Sequence, residues 1–79
     1  MKVRVSLYGT LARDVPGYQH SKGLEVNIAE GSTVRNLLSH LGISKSRGAV
    51  VSVNGRILSA EAGLTDGSHA KIFQTVHGG

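Results

Sequence analysis

The sequence predicts an α+β domain in which a mixed sheet of four to five strands carries one main helix packed across one face. Three observations predict it. Apolar and polar residues alternate at period two near both ends of the chain. A single stretch between them repeats apolar residues at three- and four-residue spacing. Two-residue turn signals punctuate the remainder. With 79 residues there is room for one such domain. Its core must be thin, because a chain of this size buries only about 60% of its unfolded surface.

Residues 2–8 alternate strictly, so Val3, Val5 and Leu7 are expected to face the core, with Lys2, Arg4, Ser6 and Tyr8 outward. Residues 9–23 contain the only proline, Pro16, and are long for a connection in so small a domain; a short helical turn around 11–14 is expected to take up part of them. Alternation returns at 24–28, a second strand, and Glu30-Gly31 turns the chain. Ser32 or Thr33 can cap a helix, since either hydroxyl can accept from an orphan backbone N–H. Val34, Leu37, Leu38 and Leu41 then lie on one helical face, and Gly42 can stop the helix in a left-handed conformation. The β-branched run 49–53 predicts a third strand. Asn54-Gly55 predicts a type I′ hairpin turn, which needs positive φ at both central residues, and 56–58 is the return strand. Leu64-Thr65-Asp66-Gly67 is a further turn, and a last strand begins at 69–73. The expected organisation is one domain over 1–76 and a flexible tail over 77–79.

Composition excludes several functions. The absence of cysteine removes disulfides, thiolate metal sites and a cysteine nucleophile. His20, His40, His69 and His77 are too far apart to give a ligand pair within one helical turn, so no metal is expected. No hydroxyl sits in a nucleophile-elbow context and no phosphate-loop pattern occurs, so no catalysis by the chain's own side chains is expected. No apolar run approaches the roughly 20 residues that span a bilayer, and no secretory leader is evident; the chain is expected to be soluble and cytoplasmic. The formal charge of +4 suits an acidic partner, protein or nucleic acid, or simply a solvated basic surface.

The last residues are His77-Gly78-Gly79. A strand is expected to lead straight into them, projecting the carboxylate of Gly79 from the end of the fold. Two residues without Cβ can adopt extended conformations unfavourable for others and leave the terminal carbonyl carbon uncrowded. A carboxylate is a poor acyl donor until it gains a leaving group. Adenylation by ATP supplies one, and a sulfur nucleophile can then displace AMP to give a thiocarboxylate. Gly79 is therefore the expected reacting residue, with Gly78 and His77 as its tail; a frayed terminus is the plain alternative.

The first strand, Gly31-Ser32-Thr33-Val34 leading into Leu37-Leu38, Val53-Asn54-Gly55, Leu64-Thr65-Asp66-Gly67, Ile72-Phe73 and Gly78-Gly79 recur in this order along the whole length. In these pieces the chain resembles the MoaD/ThiS family of sulfur carriers, ubiquitin-like β-grasp proteins. The resemblance implies that a ubiquitin-activating-enzyme-like adenylyltransferase uses ATP to activate Gly79, that a persulfide donor loads sulfur, and that no cofactor is bound by the carrier itself. A molybdopterin synthase large subunit is a further implied partner. The length and the long 9–23 segment favour a MoaD-like role in molybdopterin-type cofactor synthesis over a ThiS-like role in thiamine thiazole formation. The chain departs from the family's pattern at Gln74-Thr75, where many MoaD-like tails carry two prolines, and at Ser68, where an acidic residue is common. Arg13 is displaced by one from the position where the family tends to carry an arginine and is assigned no role.

A partner surface is also expected. If Ala70 and Ile72 point inward, Phe73 points outward beside Lys71 and Thr75, on the face shared by Ser52, Val50, Arg4 and Tyr8. An aromatic on an open sheet face is a candidate anchor, unless the tail or a cross-strand neighbour covers it. Two rival functions stand beside the carrier. Arg4, Tyr8, Lys71 and Phe73 could stack and neutralise unpaired RNA. A ubiquitin-like modifier would share the activation of Gly79 and differ only in its acceptor.

Overall fold

The computed structural model describes residues 1–19, 21–44 and 47–74. The strands are β1 (Lys2–Leu7), β2 (Leu24–Asn27), β3 (Ala49–Val53), β4 (Arg56–Leu58) and β5 (His69–Gln74), and the helix is α1 (Val34–Leu41). They form one five-stranded mixed sheet in the order β2-β1-β5-β3-β4. The first and last strands run parallel at its centre, and the other neighbours are antiparallel.

Period-two alternation decides which face is wet. Val3, Val5, Leu7, Val26, Val51, Ala70 and Ile72 are buried on one side, where Val34, Leu37 and Leu41 of α1 cover them. Leu38 sits on the rim of this core, half-buried, rather than at its centre with the other three. Thr33 is the cap. Its Oγ1 accepts the Asn36 N–H at 3.2 Å while Asn36 Oδ1 accepts the Thr33 N–H at 2.9 Å. Ser32 is used differently, its hydroxyl donating to the Ala29 carbonyl at 2.7 Å. Gly42, at φ 77°, ends the helix, and the Ile43 N–H reaches back to the Leu38 carbonyl at 2.9 Å. The carbonyls of Ala62 and Ala60 accept the N–H groups of Val34 and Arg35, so the first turn of α1 is tied to the connection between β4 and β5.

The expected hairpin turn is present: Asn54 has φ 53° and Gly55 φ 78°. Two boundaries differ from the sequence expectation: the second strand stops at Asn27, and Tyr8 lies just beyond β1. The last strand begins at His69 as expected and runs on to Gln74. The long connection contains a six-residue 3₁₀ helix, Gly9–Asp14, larger than the single turn expected. Leu11 and Val15 drop from it into the core. Tyr18 closes it, its hydroxyl accepting the Leu7 N–H at 2.9 Å. This segment is thus packed as part of the domain, which accounts for its length.

Candidate functional site

The site expected from sequence has two parts, the outward face of the sheet and the end of β5. Register fixes the first. Arg4 pairs with His69 and Ser6 with Lys71 across β1 and β5. Ser52 pairs with Lys71 and Val50 with Phe73 across β3 and β5. Side chains of paired residues share a face, so Arg4, Ser6, Val50, Ser52, His69, Lys71 and Phe73 form one surface, opposite α1. Tyr8 joins it: its N–H bonds the Ile72 carbonyl at 3.1 Å, continuing the ladder past β1. Its ring stacks on Phe73 with centroids 4.9 Å apart and planes 10° from parallel. Phe73 remains 40% exposed and Tyr8 37%, so the pair presents apolar area to solvent.

Ile57 is a member of this face that sequence reading missed. It is 75% exposed and pairs with Ser52 across β3 and β4. The signal was available: a two-residue Asn54-Gly55 turn sets Arg56 opposite Val53, which places Ile57 opposite Ser52.

The face is basic and hollowed. Arg4, Ser6, Ser21, Lys22, Gly23 and His69 line one open depression, and Ser52, Asn54, Gly55, His69, Lys71 and Phe73 line its neighbour. His69 separates the two, its Nε2 2.7 Å from Ser6 Oγ. Glu25 lies opposite Arg4 on β2 but contacts Lys2, at 3.8 Å. Among the described residues neither Arg4 nor Lys71 has an ion-pair partner. A surface of this kind, two stacked rings among unpaired cations, fits an apolar contact ringed by acidic groups.

The second part lies where β5 ends. Gln74 still pairs with Ala49 of β3, but pairing with β1 stops two residues earlier, at Ile72. On that unpaired side Thr10 Oγ1 donates to Gln74 Oε1. Thr10 in turn accepts from Arg47 Nη2 at 2.9 Å, and Arg47 Nε lies 2.8 Å from Asp14 Oδ2. Gln74 is thereby held at the first of the two positions where the sequence lacks the expected prolines. None of Thr10, Asp14 or Arg47 was singled out from sequence, because nothing local signals contacts 37 and 64 residues apart. Thr75, His77, Gly78 and Gly79, named above as site residues, lie outside the described residues, as do His20 and the expected boundary between 76 and 77.

Among the described residues no group of three or more His, Asp or Glu side chains is placed to hold a metal ion, and no helix is long and apolar enough to cross a membrane.

The description of the ThiS family matches residues 8–79. Among solved structures, the chain is similar to a Pyrococcus furiosus protein described as molybdopterin converting factor, subunit 1. The identity is 23% and the TM-score 0.73, over 96% of this chain and 99% of that one. It is similar to small archaeal modifier protein 1 of Haloferax volcanii at 18% identity and TM-score 0.71, over the whole of both chains. It is also similar to a thiamine biosynthesis protein of Geobacter metallireducens at 22% identity and TM-score 0.52, over 96% of this chain and 87% of that one. These likenesses establish the ubiquitin-like β-grasp fold. Among curated proteins, none matches the chain significantly by sequence.

Proposed function

The chain belongs to the ThiS family of small ubiquitin-like carriers and modifiers, and from that premise we propose that it carries sulfur as a thiocarboxylate on Gly79. The observation that carries this reading is that the family match runs through to Gly79 itself, the terminal pair included.

The chemistry belongs to the chain's end and to its partners. An oxygen of the Gly79 carboxylate attacks the α-phosphorus of ATP on an adenylyltransferase of the ubiquitin-activating type, and pyrophosphate leaves. The terminal sulfur of a persulfide then attacks the carbonyl carbon and AMP leaves. Cleavage of the S–S bond by a second thiol leaves sulfur on Gly79 and a disulfide on the donor side. In this account ATP is bound by the partner, the chain holds no cofactor of its own, and the cycle runs in the cytoplasm. Gly78 and His77 supply reach, and the missing Cβ atoms let a narrow channel close around the reacting carbonyl.

The activating enzyme docks, in this proposal, on the face built from Phe73, Tyr8, Lys71, Ser52 and Arg4; Thr75, expected there from the sequence, lies outside the described residues. Support comes from the exposed Tyr8–Phe73 stack and from Arg4 and Lys71 on the same face, which have no ion-pair partner among the described residues. The two rings each cover one face of the other, which leaves fewer free faces for stacking bases and disfavours an RNA-binding role.

For the acceptor, molybdopterin-type cofactor synthesis, with a synthase large subunit receiving the carrier, is the favoured reading. The length of the 9–23 segment supports it, as does the fit to the Pyrococcus protein, higher than the fit to the thiamine biosynthesis protein. A second reading, attachment to protein lysines as a modifier, is favoured by the full-length likeness to the archaeal modifier. Both begin with adenylation. The test is ATP–pyrophosphate exchange with the activating enzyme: the intact chain should support exchange and a variant lacking Gly79 should not. Equal exchange by the two would remove Gly79 from the reaction.

A further inference from the structure

We infer that Thr10, Arg47 and Asp14 form a positioning clamp on Gln74 that fixes the point and direction from which the chain continues to Gly79. The inference rests on the proposed role of Gly79 and adds positioning residues to it.

The need for a clamp follows from the register. Between Arg4–His69 and Leu7–Ile72 the last strand has neighbours on both sides. Phe73 and Gln74 pair in the ladder only with β3, through Val50 and Ala49, and on the other side Phe73 meets the Tyr8 ring instead of a strand. A strand end paired on one side frays more readily than one paired on both. The side chain of Gln74 supplies the missing restraint by reaching Thr10, just past the end of β1.

The direction of each bond makes the chain of contacts consistent. Arg47 Nη2 can only donate, so it occupies a lone pair of Thr10 Oγ1, and the hydroxyl proton is left to Gln74 Oε1. Asp14 Oδ2 lies 2.8 Å from Arg47 Nε as an ion pair without hydrogen-bond geometry, so it draws the guanidinium toward Thr10 by charge alone. The ion pair is sheltered, with side-chain exposures of 33% for Arg47 and 28% for Asp14. It is therefore screened less than a fully solvated pair. Three segments distant in sequence, the 3₁₀ helix, the approach to β3 and the end of β5, meet at the Thr10 hydroxyl.

The consequence is geometric. Residues 75–79 span at most about 17 Å when extended, so the orientation of their root decides which volume Gly79 can search. A fixed root lowers the ordering cost of entering a partner's channel and leaves the reacting groups unchanged. The clamp should thus act on KM for the carrier and spare kcat.

The experiment compares Thr10→Val, which keeps the shape and removes the hydroxyl, with Thr10→Ser, which restores it. Backbone ¹⁵N relaxation reads order at Gln74 without any partner. It should fall in Thr10→Val, recover in Thr10→Ser, and stay constant at Val5 in both. With the activating enzyme, KM for Thr10→Val should rise about three- to tenfold with kcat within about twofold, and Thr10→Ser should return it. Arg47→Lys reaches the same clamp from its other end, keeps the charge opposite Asp14, and should raise KM in the same sense. Unchanged order at Gln74, or unchanged KM when the intact chain is activated normally, overturns the clamp. If the intact chain is not activated at all, it is the role of Gly79 that fails.

Discussion

Phe73→Ala separates a docking anchor from a core residue by comparing two magnitudes. Fully burying a phenylalanine side chain contributes about 1.5–3 kcal/mol. Phe73 is 40% exposed, so the truncation forfeits only part of that, and with the loss of the Tyr8 stack the expected cost is about 1–2 kcal/mol. A buried phenylalanine would cost about 3–5 kcal/mol. Against the partner, an aromatic anchor is worth at least about 2 kcal/mol, or about thirtyfold in Kd. Urea denaturation followed by circular dichroism gives the first quantity. Titration calorimetry with the activating enzyme, well below the variant's midpoint, gives the second. Tyr8→Ala closes a double-mutant cycle, in which the stability coupling should be about 0.5–1.5 kcal/mol. The reasoning is refuted if Kd changes less than about threefold. A stability loss in the range of a core phenylalanine, with Kd unaffected, would likewise refute it and place Phe73 with Ile72 in the core.

Three further outcomes test the fold beneath the site. Leu37→Ala, which empties the position where α1 meets the sheet, should destabilise by about 2–5 kcal/mol in urea, and a loss under about 1 kcal/mol would contradict its central place. Gly55→Ala forces a Cβ onto φ 78° and should cost about 1–2 kcal/mol, although the space around it is open; no change in the urea midpoint would mean that the turn relaxes. Tyr18→Phe leaves the Leu7 N–H without its acceptor and should cost about 1–3 kcal/mol, with faster hydrogen exchange at that amide; unchanged exchange would contradict the strap.

What the sequence made legible was whatever a local pattern writes into it. Val3, Val5 and Leu7 against Arg4 and Ser6 assign the faces of β1, because side chains alternate without exception along a strand. Asn54-Gly55 announces its turn, since few other pairs accept two positive φ angles. The same alternation placed Arg4, Ser52, Lys71 and Phe73 on one face before any register was known. What escaped was long-range. Tyr8 and Phe73 could be assigned to a face but not to a stack, because that depends on the parallel register of β1 and β5. Tyr18, Leu11 and Val15 lie in an aperiodic segment, so their roles as strap and core emerge only once the segment folds back. Arg47 and Asp14 look like any surface charges until Gln74 is placed beside Thr10. Of the two candidate caps, the structure uses Thr33, whose partner is Asn36, where a Glu or Gln would have been the more familiar sequence mark.

Intact-mass spectrometry after incubation with the activating enzyme, ATP and a persulfide donor tests the chemistry of Gly79 most directly. Exchange of one carboxylate oxygen for sulfur should add about 16 Da, only with ATP present, and fragmentation should assign the gain to the C-terminal residue. Fragmentation is essential, because oxidation of the single methionine, Met1, adds nearly the same mass at the other end. An unchanged mass on the C-terminal fragment, or the same ATP-dependent gain in a chain lacking Gly79, would contradict the account.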